Sequence, residues 1–251
     1  MTAAALFPLV RRGRRPACLL LPGSGGGLQP YFRLAGVLGE TYDVYGVPAA
    51  GLGPGEEPAA SVAAMADRAV AALAAAGVVP SLVLGWSLGG VVGWETCVRM
   101  AARGPRPDLV LLDSSPLPVS MTAESYGELV DRIVAALGPR AGAATLERVR
   151  RVVAAEVDAA GRHRCDRPYD GQVLLIGCTD ADPERPAAVL AWRALAPRLR
   201  QAELDAGHYD VFDPVHLPAL VAALAPVLPA PTASAAVGAA APTEPSLENA
   251  E

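Results

Sequence analysis

The stretch SLVLGWSLGG, residues 81–90, holds a change of structure within ten residues. Leu82, Val83 and Leu84 form a continuous apolar run, which suits a strand buried on both faces of a parallel sheet. Gly85, Ser87 and Gly89 follow at Gly-x-Ser-x-Gly spacing, and residues 91–102 continue as a helical pattern. In a sharp strand-to-helix turn of this kind the glycines at ±2 are required, because a side chain there would collide with neighbouring backbone. A serine hydroxyl raised on such a turn is a good nucleophile only when a base takes its proton. The rest of the chain must therefore supply a base and a group to orient it.

Outward from this stretch, short apolar runs alternate with helical patterns. ACLLLP (17–22), YDVYGVP (42–48), DLVLLD (108–113), QVLLIG (172–177) and LRQAELD (199–205) read as further strands, and FPLVRRG as an edge strand that hairpins into Cys18. Between them, residues 58–76 place Val62, Met65, Ala69 and Leu73 on one helical face. Helices are also predicted over 87–102, 186–196 and 214–228, the last with Asp213 as N-cap and Pro214 in its first turn. The alternation predicts an α/β fold with a mostly parallel, doubly wound sheet. Residues 117–170 interrupt it with two helical patterns, which predicts a helical lid inserted between the strand ending at Asp113 and the strand starting near Gln172. Residues 1–228 then form one domain, and the Ala/Pro/Ser-rich stretch 229–251 reads as a disordered tail.

Composition narrows the function. A net charge of −5 argues against a nucleic-acid binder. No apolar run approaches a membrane span, and the N-terminal charges follow the apolar segment instead of preceding it, so the expectation is a cytoplasmic protein without membrane attachment. The absence of lysine excludes Schiff-base and P-loop lysine chemistry. Cys18, Cys97, Cys165 and Cys178 have no metal or redox spacing, and Cys18 and Cys178 sit in strand runs that suit core packing.

Three histidines can be weighed as the base. His163 lies among arginines in the insertion, on what reads as a solvated polar face, and His216 lies in the first turn of the last helix. His208, in DAGHYDVF, follows the last strand, where open α/β sheets place their sites, and keeps the chain order Ser, acid, His. The acid has two addresses at strand carboxyl ends: Asp113, or Asp180 or Asp182 one strand later. An oxyanion hole needs two N–H groups near the serine. Leu88, after the nucleophile, supplies one, and the loop LPGSGGG (21–27) supplies the other, with Ser24 as donor. A phosphate-binding reading of that loop fails because no Gly-Lys-Ser/Thr follows and Leu28 stands at the last glycine position. Trp86, Tyr126, Leu129, Ile133 and Val134 are candidates for an apolar substrate pocket or for the insertion's own core.

Taken in order, LLLPGSGGG…YFRLAGVLG, YDVYGVPAAGLG, LVLGWSLGGVVGWETCVRM, LVLLDSSP and LDAGHYDVF resemble the thioesterase domains of non-ribosomal peptide and polyketide synthases, across roughly residues 7–228. The resemblance implies an α/β-hydrolase fold with a helical lid and a Ser87–Asp113–His208 triad. It favours Asp113 over Asp180, which would match the discrete editing members. It implies an acyl, peptidyl or polyketide substrate carried on the phosphopantetheine of a carrier protein, released by hydrolysis or cyclisation in natural-product biosynthesis, with no cofactor and no metal of the enzyme's own. The start at Met1 and the low-complexity end read as a discrete protein acting in trans on an acyl or peptidyl carrier protein. Arg148, Arg150, Arg151, Arg162, Arg164 and Arg167 form either a surface for that acidic partner or a solvated helix face. Other readings are an editing thioesterase, a small-ester carboxylesterase and a ligand-binding scaffold without activity.

Overall fold

Each apolar run forms a strand, and together they make one sheet. In the computed structural model, which describes residues 5–180 and 183–228, the strands are β1 (Phe7–Val10), β2 (Ala17–Leu21), β3 (Asp43–Gly46), β4 (Pro80–Trp86), β5 (Asp108–Leu112), β6 (Val173–Cys178) and β7 (Leu199–Leu204). Their spatial order is β1-β3-β2-β4-β5-β6-β7, and all neighbours are parallel except β1 and β3. The fold is the expected α/β-hydrolase class. The stretch 229–251 and Asp182 lie outside the described residues.

Alternation along the strands decides which helices they meet. Leu19, Val83, Leu109, Leu111 and Leu175 face one layer, built with Trp94, Cys97 and Trp192. Cys18, Leu20, Leu84, Val110 and Ile176 face the other, built with Leu34, Phe212 and Leu220. Helices on both faces explain why these strands carry no polar alternation. The helices are α1 (Phe32–Leu38), α2 (Val62–Ala76), α3 (Leu88–Ala101), α4 (Ala123–Ala136), α5 (Ala143–Gly161), α6 (Arg185–Leu195) and α7 (Leu217–Ala223). The Ser61 side chain caps α2 by accepting from the Ala64 N–H at 3.1 Å, and Gly77 ends it at φ +62. Helix α1 is too short for its periodicity to stand out in the sequence.

Two sequence expectations change. β1 is an edge strand but does not hairpin into Cys18; it pairs antiparallel with β3, Phe7 opposite Gly46. Both edges of β2 are already taken, by β3 and β4. The connection to β2 is held instead at the foot of β3, where the Asp43 carboxylate accepts the N–H groups of Arg12 and Gly13 at 2.7 and 3.0 Å. The last helix spans Leu217–Ala223 with His216 as N-cap, instead of 214–228 with Asp213 as N-cap. Val211 and Phe212 turn into the core first, and the Asp213 carbonyl accepts the N–H groups of His216 and Leu217.

Helices α4 and α5 occupy the long connection between β5 and β6. They share a small apolar cluster, Leu129, Val149 and Val153, with Tyr126 and Ile133 packed on it. Among the described residues no helix is long and apolar enough to cross a membrane.

Candidate active site

The turn between β4 and α3 fixes Ser87 at φ 55, ψ −125, a conformation that costs a non-glycine residue free energy and is found at sites that use it. Its flanking glycines are compulsory here. A Cβ on Gly85 would stand 2.0 Å from the Gly89 carbonyl oxygen, and one on Gly89 would stand 2.1 Å from the Leu21 carbonyl oxygen. A buried tyrosine ties the turn to β2: the Tyr31 hydroxyl donates to the Leu21 carbonyl at 2.7 Å and accepts the Trp86 N–H at 3.1 Å. Leu88 is the first residue of α3, where backbone N–H groups have no intrahelical partner.

Asp113 follows β5 and also has positive φ, 45°. Its backbone N–H donates to the Ile176 carbonyl, repeating one strand over, at the same register, the bond from Ser87 N–H to the Leu112 carbonyl. Its carboxylate meets His208 Nδ1 at 2.6 Å and accepts the Cys178 N–H at 3.0 Å. Burial pushes this carboxyl up, but the hydrogen bonds from His208 and Cys178 and the charges of His208 and Arg185 outweigh it, leaving Asp113 below the usual carboxylate range. Of the alternative acids, Asp180 does not reach the imidazole in this way. It accepts the His208 backbone N–H at 3.0 Å and pairs with Arg185 at 3.1 Å, while Asp182 lies outside the described residues. Arg185 also donates to the Cys178 carbonyl and lies 3.6 Å from Asp113. The Trp86 indole N–H donates to the His208 carbonyl at 3.1 Å, so the histidine loop is held at both backbone groups. Sequence reasoning missed Arg185 and Tyr31; each contacts strand-end backbone, which leaves no motif.

Across from Ser87, Gly23, Ser24, Gly25 and Gly26 form a turn closed by the Gly26 N–H on the Gly23 carbonyl at 3.0 Å. The Gly25 N–H donates to Glu156 of α5 at 2.6 Å. Glu156 is 5% exposed, and burial, only partly offset by that bond, pushes its carboxyl up to about 8.

Ser87, Leu88, Ser24, Asp113 and His208 all line one cavity of about 1210 Å³. Trp86, Leu129 and Ile133 are also on its wall, whereas Tyr126 and Val134 are not among its lining residues. Tyr126 packs into the cluster between α4 and α5. Arg132 of α4 lies over the Tyr209 ring at 4.4 Å, and that ring stands edge-on to His208.

His163 is not on a solvated face. It contacts Glu95 of α3 at 3.4 Å, and Arg99 and Arg167 bind the same carboxylate. Burial opposes the charge of Glu95, but these three partners hold it down to about 2. Of the insertion's other arginines, Arg148 donates to the Leu52 carbonyl, Arg151 reaches Glu57 at 3.8 Å and Arg162 pairs with Asp158 at 2.6 Å. Among the described residues two groups could offer metal ligands, Glu95–His163–Cys165 and Asp113–Cys178–Asp180. The carboxylates in them are already engaged by the protein's own side chains, Glu95 by Arg99 and Arg167, Asp113 by His208 and Asp180 by Arg185.

Comparison with known proteins follows the same lines. The thioesterase domain family model matches residues 17–225. The NocB thioesterase domain, in a covalent complex with a fluorophosphonate nocardicin G analogue, is 27% identical, with a TM-score of 0.73 over 88% of this chain and 98% of that one. The Vlm2 thioesterase domain bound with a dodecadepsipeptide is 24% identical, with a TM-score of 0.73 over 90% of this chain and 100% of that one, and shows the same fold. RedJ, with a PEG molecule in its active site, is 23% identical with a TM-score of 0.68 over 85% and 95%. No curated protein matches the sequence.

Proposed function

The chain belongs to the thioesterase domain family of hydrolases, and from that premise we propose that it releases an acyl, peptidyl or polyketide chain from the phosphopantetheine thiol of a carrier protein through an acyl-enzyme on Ser87. The observation that carries this reading is the 2.6 Å contact of His208 Nδ1 with Asp113, on the wall of the cavity that Ser87 also faces. With Nδ1–H directed at the carboxylate, the imidazole lone pair is on Nε2, the nitrogen that takes the Ser87 proton.

Ser87 Oγ attacks the thioester carbonyl as its proton passes to His208 Nε2, and Asp113 stabilises the imidazolium. The carbonyl oxygen becomes an oxyanion facing the N–H groups of Leu88 and Ser24. Collapse breaks the C–S bond, and the pantetheine thiol leaves with the proton from His208. Water, or a hydroxyl or amine of the chain itself, then gives its proton to His208 and attacks the ester. Ser87 is restored and a free acid or a ring departs. The pantetheine arm arrives with the substrate, so no resident cofactor or metal enters these steps. A cavity of about 1210 Å³ exceeds the size that suits drug-like ligands and supports a long acyl or peptidyl chain. The covalent phosphonate complex of the NocB domain is in keeping with an activated nucleophile.

The test is intact-protein mass after mixing with a panel of acyl-pantetheine thioesters, against Ser87→Ala. An acyl adduct on the wild type that the variant lacks, with thiol release slowed by about 10³-fold or more in the variant, is the expected result. Thiol release no faster than in buffer, with no adduct, would sink the reading. Much faster turnover of an acylated carrier protein than of a free ester separates carrier-bound substrates from small esters.

A further inference from the structure

The loop that faces Ser87 is held from the insertion. The turn Gly23-Ser24-Gly25-Gly26 is closed by the bond from Gly26 N–H to the Gly23 carbonyl, which is internal to the loop and sets the turn's shape but not its position against Ser87. The Ser24 N–H belongs to the first peptide of the turn, and the central peptide, Ser24 C=O with Gly25 N–H, follows it directly. Gly25 has φ +92, the value of a type II turn, and its N–H points to the Glu156 carboxyl of α5 at 2.6 Å. The same glycine touches α4, since a Cβ built on it would lie 2.9 Å from Ile133 Cγ2. Both helices of the insertion therefore bear on one residue, next to Ser24.

Glu156 is a polar residue at an apolar position. Val149, Val152, Val153 and Ala159 of α5 are buried around its register, and nothing about helix formation or core packing calls for a carboxyl there. Among the described residues its one hydrogen bond is from the Gly25 amide. Arg68 shares a small cavity with it, but the guanidinium pairs with Glu56 at 2.9 Å.

We propose that Glu156 is a positioning residue that anchors the turn through the Gly25 N–H, and with it the adjoining Ser24, so that the oxyanion loop is set only while the insertion is seated. The inference rests on the reading of Ser87 and Ser24 given above. Its consequence is that closure of the insertion over a bound chain and assembly of the oxyanion site are one event, because a displaced α5 releases the Gly25 N–H.

The experiment is the rate of phosphonylation of Ser87 by an alkyl fluorophosphonate, followed by intact mass in wild type, Glu156→Gln and Glu156→Leu, with the maximal rate and the half-saturating concentration separated. The phosphonyl oxygen needs the same N–H donors as a thioester oxyanion. In Glu156→Leu the maximal rate should fall about tenfold or more with half-saturation unchanged, whereas Glu156→Gln, which keeps an acceptor, should stay within about threefold of wild type. A wild type that is not labelled at Ser87 overturns the reading of the site and this inference with it. A labelled wild type matched by Glu156→Leu overturns this inference alone, as does a Glu156→Gln variant as slow as Glu156→Leu. If the leucine variant does not fold, the Gly25 amide of ¹⁵N-labelled wild type decides. Slow solvent exchange and a shifted resonance in Glu156→Gln support the contact; exchange as fast as in an open loop refutes it.

Discussion

Helices α3 and α4 are each fourteen residues long, and they are held in opposite ways. Eleven residues of α3 are buried, from Leu88 to Met100, whereas α4 buries only Leu129. Helix α3 is pressed between the sheet and α2, with glycines where backbone passes close. Helix α4 is attached at a few points: Leu129 on α5, Ile133 on Gly25 and Arg132 on Tyr209. Local opening takes least free energy where apolar burial is least. The proposed nucleophile thus stands at the head of the most firmly fixed helix, and the cavity is covered by one that is loosely attached.

Glycine substitution puts that contrast to its hardest test. Gly89→Ala in α3 drives a methyl group to 2.1 Å from the Leu21 carbonyl oxygen, so thermal unfolding should show a loss beyond about 4 kcal/mol, or no folded protein at all. A mildly destabilised, active Gly89→Ala enzyme would mean that the turn is not rigid. Next in size, the two strand-end acids should separate. Asp113→Asn keeps a hydrogen bond to His208 but the wrong tautomer and should lower kcat by about 10⁴-fold, whereas Asp180→Asn, acting on the His208 backbone, should cost about tenfold or less. Equal losses in steady-state kinetics would return the acid to dispute.

The third test concerns α5. Glu156 holds its proton up to about 8 in the folded chain, while its ordinary value is 4.5. Between those values the folded state binds a proton that the unfolded state has released. Stability should therefore fall as pH rises through this window, by about 1.4 kcal/mol per unit from this group, and level off above it. Glu156→Gln should lack that component of the slope. Denaturation midpoints of the two proteins that run parallel from pH 5 to 8 would show that Glu156 ionises normally. The smallest effect is expected from Gly127→Ala in α4, where an added Cβ meets nothing within 4 Å; it should raise stability by roughly 0.5–1 kcal/mol through helix propensity. Destabilisation there would mean that α4 is packed more closely than its burial indicates.

What the sequence disclosed follows the same division. Strands buried on both faces are continuous apolar runs, so their positions could be read from Leu82–Leu84 or Leu109–Leu112 directly. The elbow was legible because backbone collisions at Gly85 and Gly89 permit one residue type. His208 was reached by its address and by scarcity among three histidines. The partner of β1 was not legible, since which edge of the sheet is free depends on where β2 and β3 lie. Nor was the start of α7, because Asp213 and Pro214 make a good cap locally while Val211 and Phe212 are drawn into the core first. The charged sequence neighbours of His163 read as a solvated face, yet its partner, Glu95, is distant in the chain. Glu156 did leave a trace, a carboxylate interrupting the apolar stripe of Val149, Val152, Val153 and Ala159. The stripe marks a buried position, but only the fold brings Gly25 to it.

Ser87 and Asp113 stand side by side at the carboxyl edge of the sheet, both with positive φ. Glycine at either position would relax the backbone while removing the side chain that the proposed chemistry uses. Folding and turnover therefore select for different residues at these two positions. Over mutational drift, a lineage no longer held to catalysis would be expected to lose them early and gain stability by doing so.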